Sequence, residues 1–295
     1  MRVTEGSLAD RYLASIGNTK ERMTVLQTQL ATGKRVTKVS DDPQGTNSIL
    51  RLKTLIADNE QFSANTTEAQ TMMESTESSL DGFADVLQKI KEMLVRANNG
   101  ALTDELPAFG QSIDQLLDDA VDAANTKFNG KYIFGGTNTL QAPFTLAADR
   151  SAVTVNPGGI TGDIQFQLGE GMMQKVNIDG QQAFQGTAMF DLIIRLRDTL
   201  LAKTPPAAAD AQALDDAYQH VISMTSTAGM ITEQLNSNVD HLESQHTQLL
   251  NLLSVQQDTD VASAITHLTQ EETNLNAALQ TTARIIPKSL LDFLT

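Results

Sequence analysis

The chain has 295 residues, 40% of them apolar, and a formal net charge of −15, which excludes wholesale disorder and a basic surface for nucleic acid or anionic membrane. Aromatics make up only 4% and tryptophan is absent, so long shallow helix contacts are expected in place of a compact aromatic core. With no cysteine, disulfides, thiolate metal sites and cysteine nucleophiles are excluded as well.

The first element is a helix. Ile16, Met23 and Leu30 follow Ala9 at intervals of seven, with Tyr12, Thr19 and Leu26 at the second heptad position, and Gly33 supplies a stop. No apolar h-region lies near the N-terminus, so no Sec-type signal is expected. After a loop, Asp42 caps a second helix with Pro43 in its first turn, where a missing N–H does no harm. Its seam runs Leu52, Asn59, Thr66, Met73, Leu80, Leu87, Leu94, with Leu55, Phe62, Ala69, Thr76, Phe83, Ile90 and Ala97 as partners. Seven heptads without proline cannot bury that stripe alone and require partner helices. A third helix, about Asp104–Asn129, carries Phe109, Ile113, Leu116, Ala120, Ala124 and Phe128 on one face.

Ten of the 18 glycines then fall between Gly130 and Gly186. Short alternating runs within that stretch (Ala152–Val155, Ile164–Leu168, Lys175–Ile178), separated by turn residues, predict a small β-rich insertion with a modest core. Beyond Pro206 the chain is helical again. Leu214, Val221, Ala228, Leu235, Leu242 and Leu249 keep the seven-residue spacing, joined by Ala217, Met224, Ile231 and Leu252. A turn at Gln257–Asp260 precedes a last helix bearing Ile265, Leu268, Leu275, Leu279 and Ile286.

The expected fold is therefore mainly α with a β-rich insertion: a long antiparallel coiled-coil-like bundle of the N- and C-terminal regions, with a small central β domain. The expected divisions are an axial segment 1–45, bundle halves 46–130 and 187–257, a β-rich outer domain 131–186, and an axial helix 258–295. Leu52, Leu55, Phe62, Met73, Leu80, Phe83, Leu87, Ile90, Leu94, Leu235, Leu242 and Leu249 form the expected assembly seam. Asn59, Thr66, Thr76, Asn238 and Gln245 are polar residues in it that weaken a two-stranded coiled coil, so completion by neighbouring subunits is expected.

Chemistry is not apparent. His220, His241, His246 and His267 lie within expected helices, and the five-residue step from His241 to His246 does not make an i, i+4 zinc pair. Asp41-Asp42 and Asp258-Thr-Asp260 sit at helix starts, where capping accounts for them better than acid–base work or a hard cation. No phosphate loop or nucleophile elbow surrounds any glycine pair. No enzyme, cofactor or metal is expected.

Several segments resemble the flagellin-like family of bacterial flagellar axial proteins. They are Leu30-Ala-Thr-Gly-Lys-Arg-Val36 with Ser40-Asp-Asp-Pro-Gln-Gly45, Leu87–Gly100, and Thr126-Lys-Phe-Asn-Gly130. Asp258-Thr-Asp260 and the ending Ala283–Leu294 complete the set. Gly130-Lys-Tyr-Ile-Phe-Gly-Gly-Thr-Asn138 with Pro143-Phe144, and the close Ser289-Leu-Leu-Asp-Phe-Leu294, are more similar to the hook-associated, junction-forming branch than to flagellins. Pro43-Gln44-Gly45 stands where flagellins have Ala-Gly.

The resemblance implies export by the flagellar type III apparatus to an extracellular flagellum. It implies a structural ring of subunits between hook and filament, contacting the first junction protein FlgK on one side and flagellin on the other. A chaperone of the FlgN type, acting on residues 258–295, is implied before export. A short flagellin and an unrelated secreted coiled-coil protein are the competing readings.

Overall fold

The computed structural model describes residues 5–98 and 103–285. Seven helices and six short strands follow in the order α1 (Glu5–Thr32), α2 (Pro43–Asn98), α3 (Leu106–Ala124), β1 (Lys127–Phe128), β2 (Lys131–Tyr132), β3 (Phe144–Leu146), β4 (Val153–Val155), β5 (Gln165–Gly169), β6 (Met172–Lys175), α4 (Gly180–Phe184), α5 (Ala188–Leu201), α6 (Ala208–Gln257) and α7 (Val261–Ile285). The mainly α fold with a small central region of antiparallel strand pairs is as expected. Two compact units divide it: Met1–Asp58 with His246–Thr295, and Asn59–Gln245.

The helix ends follow from local chemistry. Gly33 adopts φ +68°, the left-handed conformation that ends α1. Asp42 Oδ1 accepts the Gly45 N–H at 2.8 Å, capping α2 ahead of Pro43, and Asp260 Oδ1 accepts from Ala262 and Ser263 at the start of α7.

The third helix is shorter than its apolar spacing predicts. After Ala124 the chain turns into a two-residue hairpin at Asn129-Gly130, both with positive φ (49° and 77°), which places Phe128 in β1 and off the helix face. The run at Val153–Val155 is a strand and pairs with Phe144–Leu146; Gln165–Gly169 pairs with Met172–Lys175. The expected third run, Lys175–Ile178, is thus displaced toward the N-terminus. Past Lys175 the Asn177 side chain replaces much of the ladder, accepting from Ile164 N–H at 2.7 Å and donating to Gly162 O at 2.8 Å.

The core of the 59–245 unit overturns the expectation of scarce aromatic packing. Phe83 of α2, Phe134, Phe144, Phe184 and Phe190 are fully buried, and Phe184 lies 4.7–5.9 Å centroid to centroid from the other four. Few aromatics suffice because half of the ten phenylalanines converge on one point. The strand region has no separate small core: Val153, Ile160 and Leu168 belong to the same buried cluster as Leu80, Leu87 and Ile113. One buried cation is stitched into the edge of that core. Arg197 of α5 donates to Asp114 at 2.9 Å and to the Arg150 carbonyl at 2.8 Å, while Arg150 Nε reaches Asp114 at 2.9 Å. Burial alone would raise the Asp114 carboxyl, but the bonds from Arg150 and Arg197 outweigh it and hold the group below the usual carboxylate range.

Candidate assembly surface

Within the 59–245 unit, α2 and α6 run antiparallel. Asn59 Nδ2 donates to Gln245 Oε1 at 3.4 Å, Asn238 Nδ2 to Thr66 Oγ1 at 3.1 Å, and Lys91 pairs with Asp215 farther along. Of the expected seam residues, Met73, Leu80, Phe83, Leu87, Ile90 and Leu94 of α2 and Leu235 and Leu242 of α6 are buried here, inside the subunit itself. Phe62 is half-buried.

The polar seam residues find partners in the same chain. Thr66 passes the Asn238 bond on to the Phe62 carbonyl at 2.7 Å, and Thr76 donates to Met72 O at 2.9 Å. Asn238 Nδ2 also reaches Leu168 O at 3.3 Å, and Asn65 Nδ2 donates to Gln167 O at 2.9 Å, tying the β5–β6 hairpin to both helices. Polarity in this seam is therefore satisfied internally and does not by itself call for neighbours.

The unit formed by 1–58 and 246–295 is different. α1 and α7 run antiparallel, with Arg22 Nε 2.8 Å from Glu271 and the Thr259 N–H donating to Gly33 O at 2.9 Å. The bond from Arg22 holds the Glu271 carboxyl below its usual range. Arg35 joins the two turns: its N–H donates to Gln257 O at 2.7 Å, and its guanidinium to Gln256 O at 3.1 Å, covering carbonyls at the end of α6. Asp41 accepts from the Lys38 and Thr37 N–H groups and the Thr37 hydroxyl, bonds that hold its carboxyl low. The carboxylate pairs at 41–42 and 258–260 are thus engaged in shaping turns and caps.

This unit has little core. Among its described residues the buried apolar side chains are Ile16, Val36, Ile49, Ile56 and Ala264. Yet eleven of the seventeen exposed large apolar side chains among the described residues fall in it. Ile265 and Leu279 of α7 are 51% and 47% exposed, Leu55 is 37% exposed, and Leu52, Leu249, Leu268 and Leu275 are half-buried. Ile286 lies outside the described residues. Val255, 78% exposed on α6, falls outside the heptad register and was not marked by it; Leu140, 79% exposed on the loop before β3, belongs to the 59–245 unit and to no helix. The exposed apolar side chains of the described residues are thus concentrated in the unit that buries the fewest.

Among the described residues no group of three His, Cys, Asp or Glu side chains is placed to hold a metal, and no helix is long and apolar enough to cross a membrane. His220 is fastened between Gln182 O, 2.8 Å from Nε2, and Gln185 Nε2, 3.3 Å from Nδ1.

Residues 6–139 match the bacterial flagellin N-terminal helical region, and residues 211–294 match the bacterial flagellin C-terminal helical region. The chain is 25% identical to the flagellar hook-associated protein 3 of Escherichia coli K12, over 83% of this chain and 82% of that one. It is 33% identical to the flagellar hook-associated protein 3 of Salmonella typhimurium LT2, an alignment spanning 50% of this chain and 47% of the relative. The fold is shared with a putative flagellar hook-associated protein from Vibrio parahaemolyticus, at a TM-score of 0.65 and 17% identity, covering 74% of this chain and 99% of that one.

Proposed function

The chain belongs to the bacterial flagellin family of flagellar structural proteins, and on that premise we propose that it is a subunit of the junction between hook and filament. One observation carries the mechanical part of the reading: the 1–58/246–295 unit exposes large apolar side chains while burying few. At about 25 cal/mol per Å² of apolar area removed from water, covering such faces with the same faces of neighbouring subunits is a strong drive to assemble. The axial segments 1–45 and 258–295 interlock with their counterparts in a ring of copies, while the 59–245 unit, with its own phenylalanine core, holds its shape without neighbours. FlgK binds on the hook side and flagellin on the filament side. A FlgN-type chaperone keeps 258–295 apart before export through the flagellar type III apparatus.

Likeness to the relatives named hook-associated protein 3 and the segment Tyr132-Ile-Phe-Gly-Gly136 support the junction over the filament itself. The two flagellin-region matches favour a second reading, a short flagellin. Deleting the gene separates them. The junction reading expects cells with hooks but without filaments and flagellin shed into the medium; filaments of normal length on the deletion strain would contradict it, and purified protein that elongates into long filaments from seeds would favour the flagellin reading.

A further inference from the structure

Charge is spread unevenly along this acidic chain. Residues 132–148 and 217–232 are the two longest stretches of the sequence without Asp, Glu, Lys or Arg. Two copies that each carry a net charge of −15 repel, and they repel least where both surfaces are neutral. The first stretch holds an apolar knob. Leu140 is 79% exposed, more than any other large apolar side chain among the described residues. Its loop is fixed on both sides: Thr139 O accepts the Tyr132 N–H at 2.8 Å, and Asn156 Nδ2 donates to Gln141 Oε1 at 3.1 Å and to Ala142 O at 3.2 Å. A side chain presented on a pinned loop loses little freedom on docking.

The second stretch holds a hollow. Met224, Thr227 and Ile231 share one face of α6 and form a wall, with Lys175 of β6, Ile178 and Gln182 of α4 around the rest, enclosing about 440 Å³. Met224 and Ile231 stand at heptad positions yet are only half-buried. Both elements that frame the hollow carry exposed methionines, Met230 on α6 and Met172 and Met173 on β6, and a thioether chain adapts its shape to an apolar guest. Lys175 is already paired with Asp163 at 2.6 Å and asks for no charged partner.

We propose that Leu140 of one copy inserts between Ile178, Met224 and Ile231 of a second copy. Knob and hollow lie at opposite edges of one layer. The Thr137 N–H donates to Thr161 O at 3.3 Å, and Asn177 Nδ2 donates to Gly162 O at 2.8 Å, so the chain at 161–162 runs between the Leu140 loop and the wall of the hollow. Two such neighbouring spacings separate them by about 10 Å. A copy whose knob is seated therefore keeps its own hollow open for the next, and the contact is head-to-tail and propagates. The inference rests on the reading of the chain as a self-assembling subunit and names a surface through which its copies meet.

The test places a charge on the knob in a strain lacking the gene. L140D and L140M change only an exposed side chain, so both purified variants should melt within about 2 °C of the parent. L140D, which would bury an unpaired carboxylate, should lower the number of filament-bearing cells at least about tenfold, while L140M keeps parental numbers. Parental numbers with L140D, or an equal loss with L140M, would overturn the proposal. A second readout does not depend on filaments, because the parent chain has no cysteine. Purified L140C and T227C chains mixed at about 1 mM and treated with a short bifunctional maleimide should give covalent dimers well above either chain alone. The L140C/T227C chain treated the same way should give a ladder beyond the dimer. Equal dimer yields in the mixture and its components, or no species beyond the dimer, would overturn the contact. If the unaltered gene fails to restore filaments, the junction reading fails, and the crosslink still decides the contact.

Discussion

Replacing Asn238 by alanine should destabilise the 59–245 unit without touching its apolar core. Its amide donates one N–H to Thr66 Oγ1 at 3.1 Å and the other to Leu168 O at 3.3 Å, and the Thr66 side chain is fully buried. At about 0.5–1.5 kcal/mol net per hydrogen bond, truncation should cost about 1–3 kcal/mol. For a unit of this size that lowers the melting temperature by about 4–8 °C at the centre of the range. T66V should cost a similar amount, because it leaves an Asn238 N–H facing a methyl group. Joining N238L to T66V removes both polar partners at once and should recover much of the loss, since apolar replacement of a whole pair is near neutral. Thermal denaturation followed by circular dichroism measures the parent, N238L, T66V and N238L/T66V as the four corners of this cycle, with N238A beside them. A melting temperature for N238A within about 1 °C of the parent, or single losses that simply add, would refute the view that this rung ties α2, α6 and the β5–β6 hairpin together.

Phe184→Ala, which removes the ring shared by four other phenylalanines, should cost about 3–5 kcal/mol and lower the melting temperature of the same unit most of all; calorimetry checks it. Asp114 is held below its ordinary range, so its contribution to stability is present above about pH 4, the unfolded value, and is lost as pH falls through the lower folded value. D114N should therefore flatten the acid limb of the stability curve below about pH 4, and an unchanged limb would contradict the assignment. Arg35→Ala should cost about 1 kcal/mol, confined to the 1–58/246–295 unit, by taking the guanidinium from the Gln256 carbonyl at the end of α6 while the backbone bond to Gln257 O remains. Limited proteolysis near 256–260 should then quicken while the phenylalanine core stays resistant.

Much of this was legible locally. Gly33, the Asp42-Pro43 start and the Asp260 cap are decided within a few residues, so sequence reasoning places those ends closely. The heptads from Met73 to Leu94 are legible too, but periodicity shows only that a stripe is covered and not by what; the cover is α6 and the phenylalanine cluster of the same subunit. That cluster was illegible because its five members come from α2, one loop, the short strand β3 and the helices α4 and α5, and only the tertiary fold brings them together. The three-residue strand after Pro143 is too short for alternation to show. The unpaired surface of the terminal unit was half visible: Ile265 and Leu279 stand in the sequence pattern, while Val255 is found only from its exposure.

Hydrogen exchange on the free chain and on the same chain assembled in flagella tests the central claim most directly. If the terminal unit is completed by its neighbours, amides of α1 and α7 between residues 10 and 282 should exchange fast in the free chain, slowly in the assembly, while those around Phe83, Phe184 and Phe190 stay protected in both. Full protection of α1 and α7 in the free chain, unchanged on assembly, would contradict it.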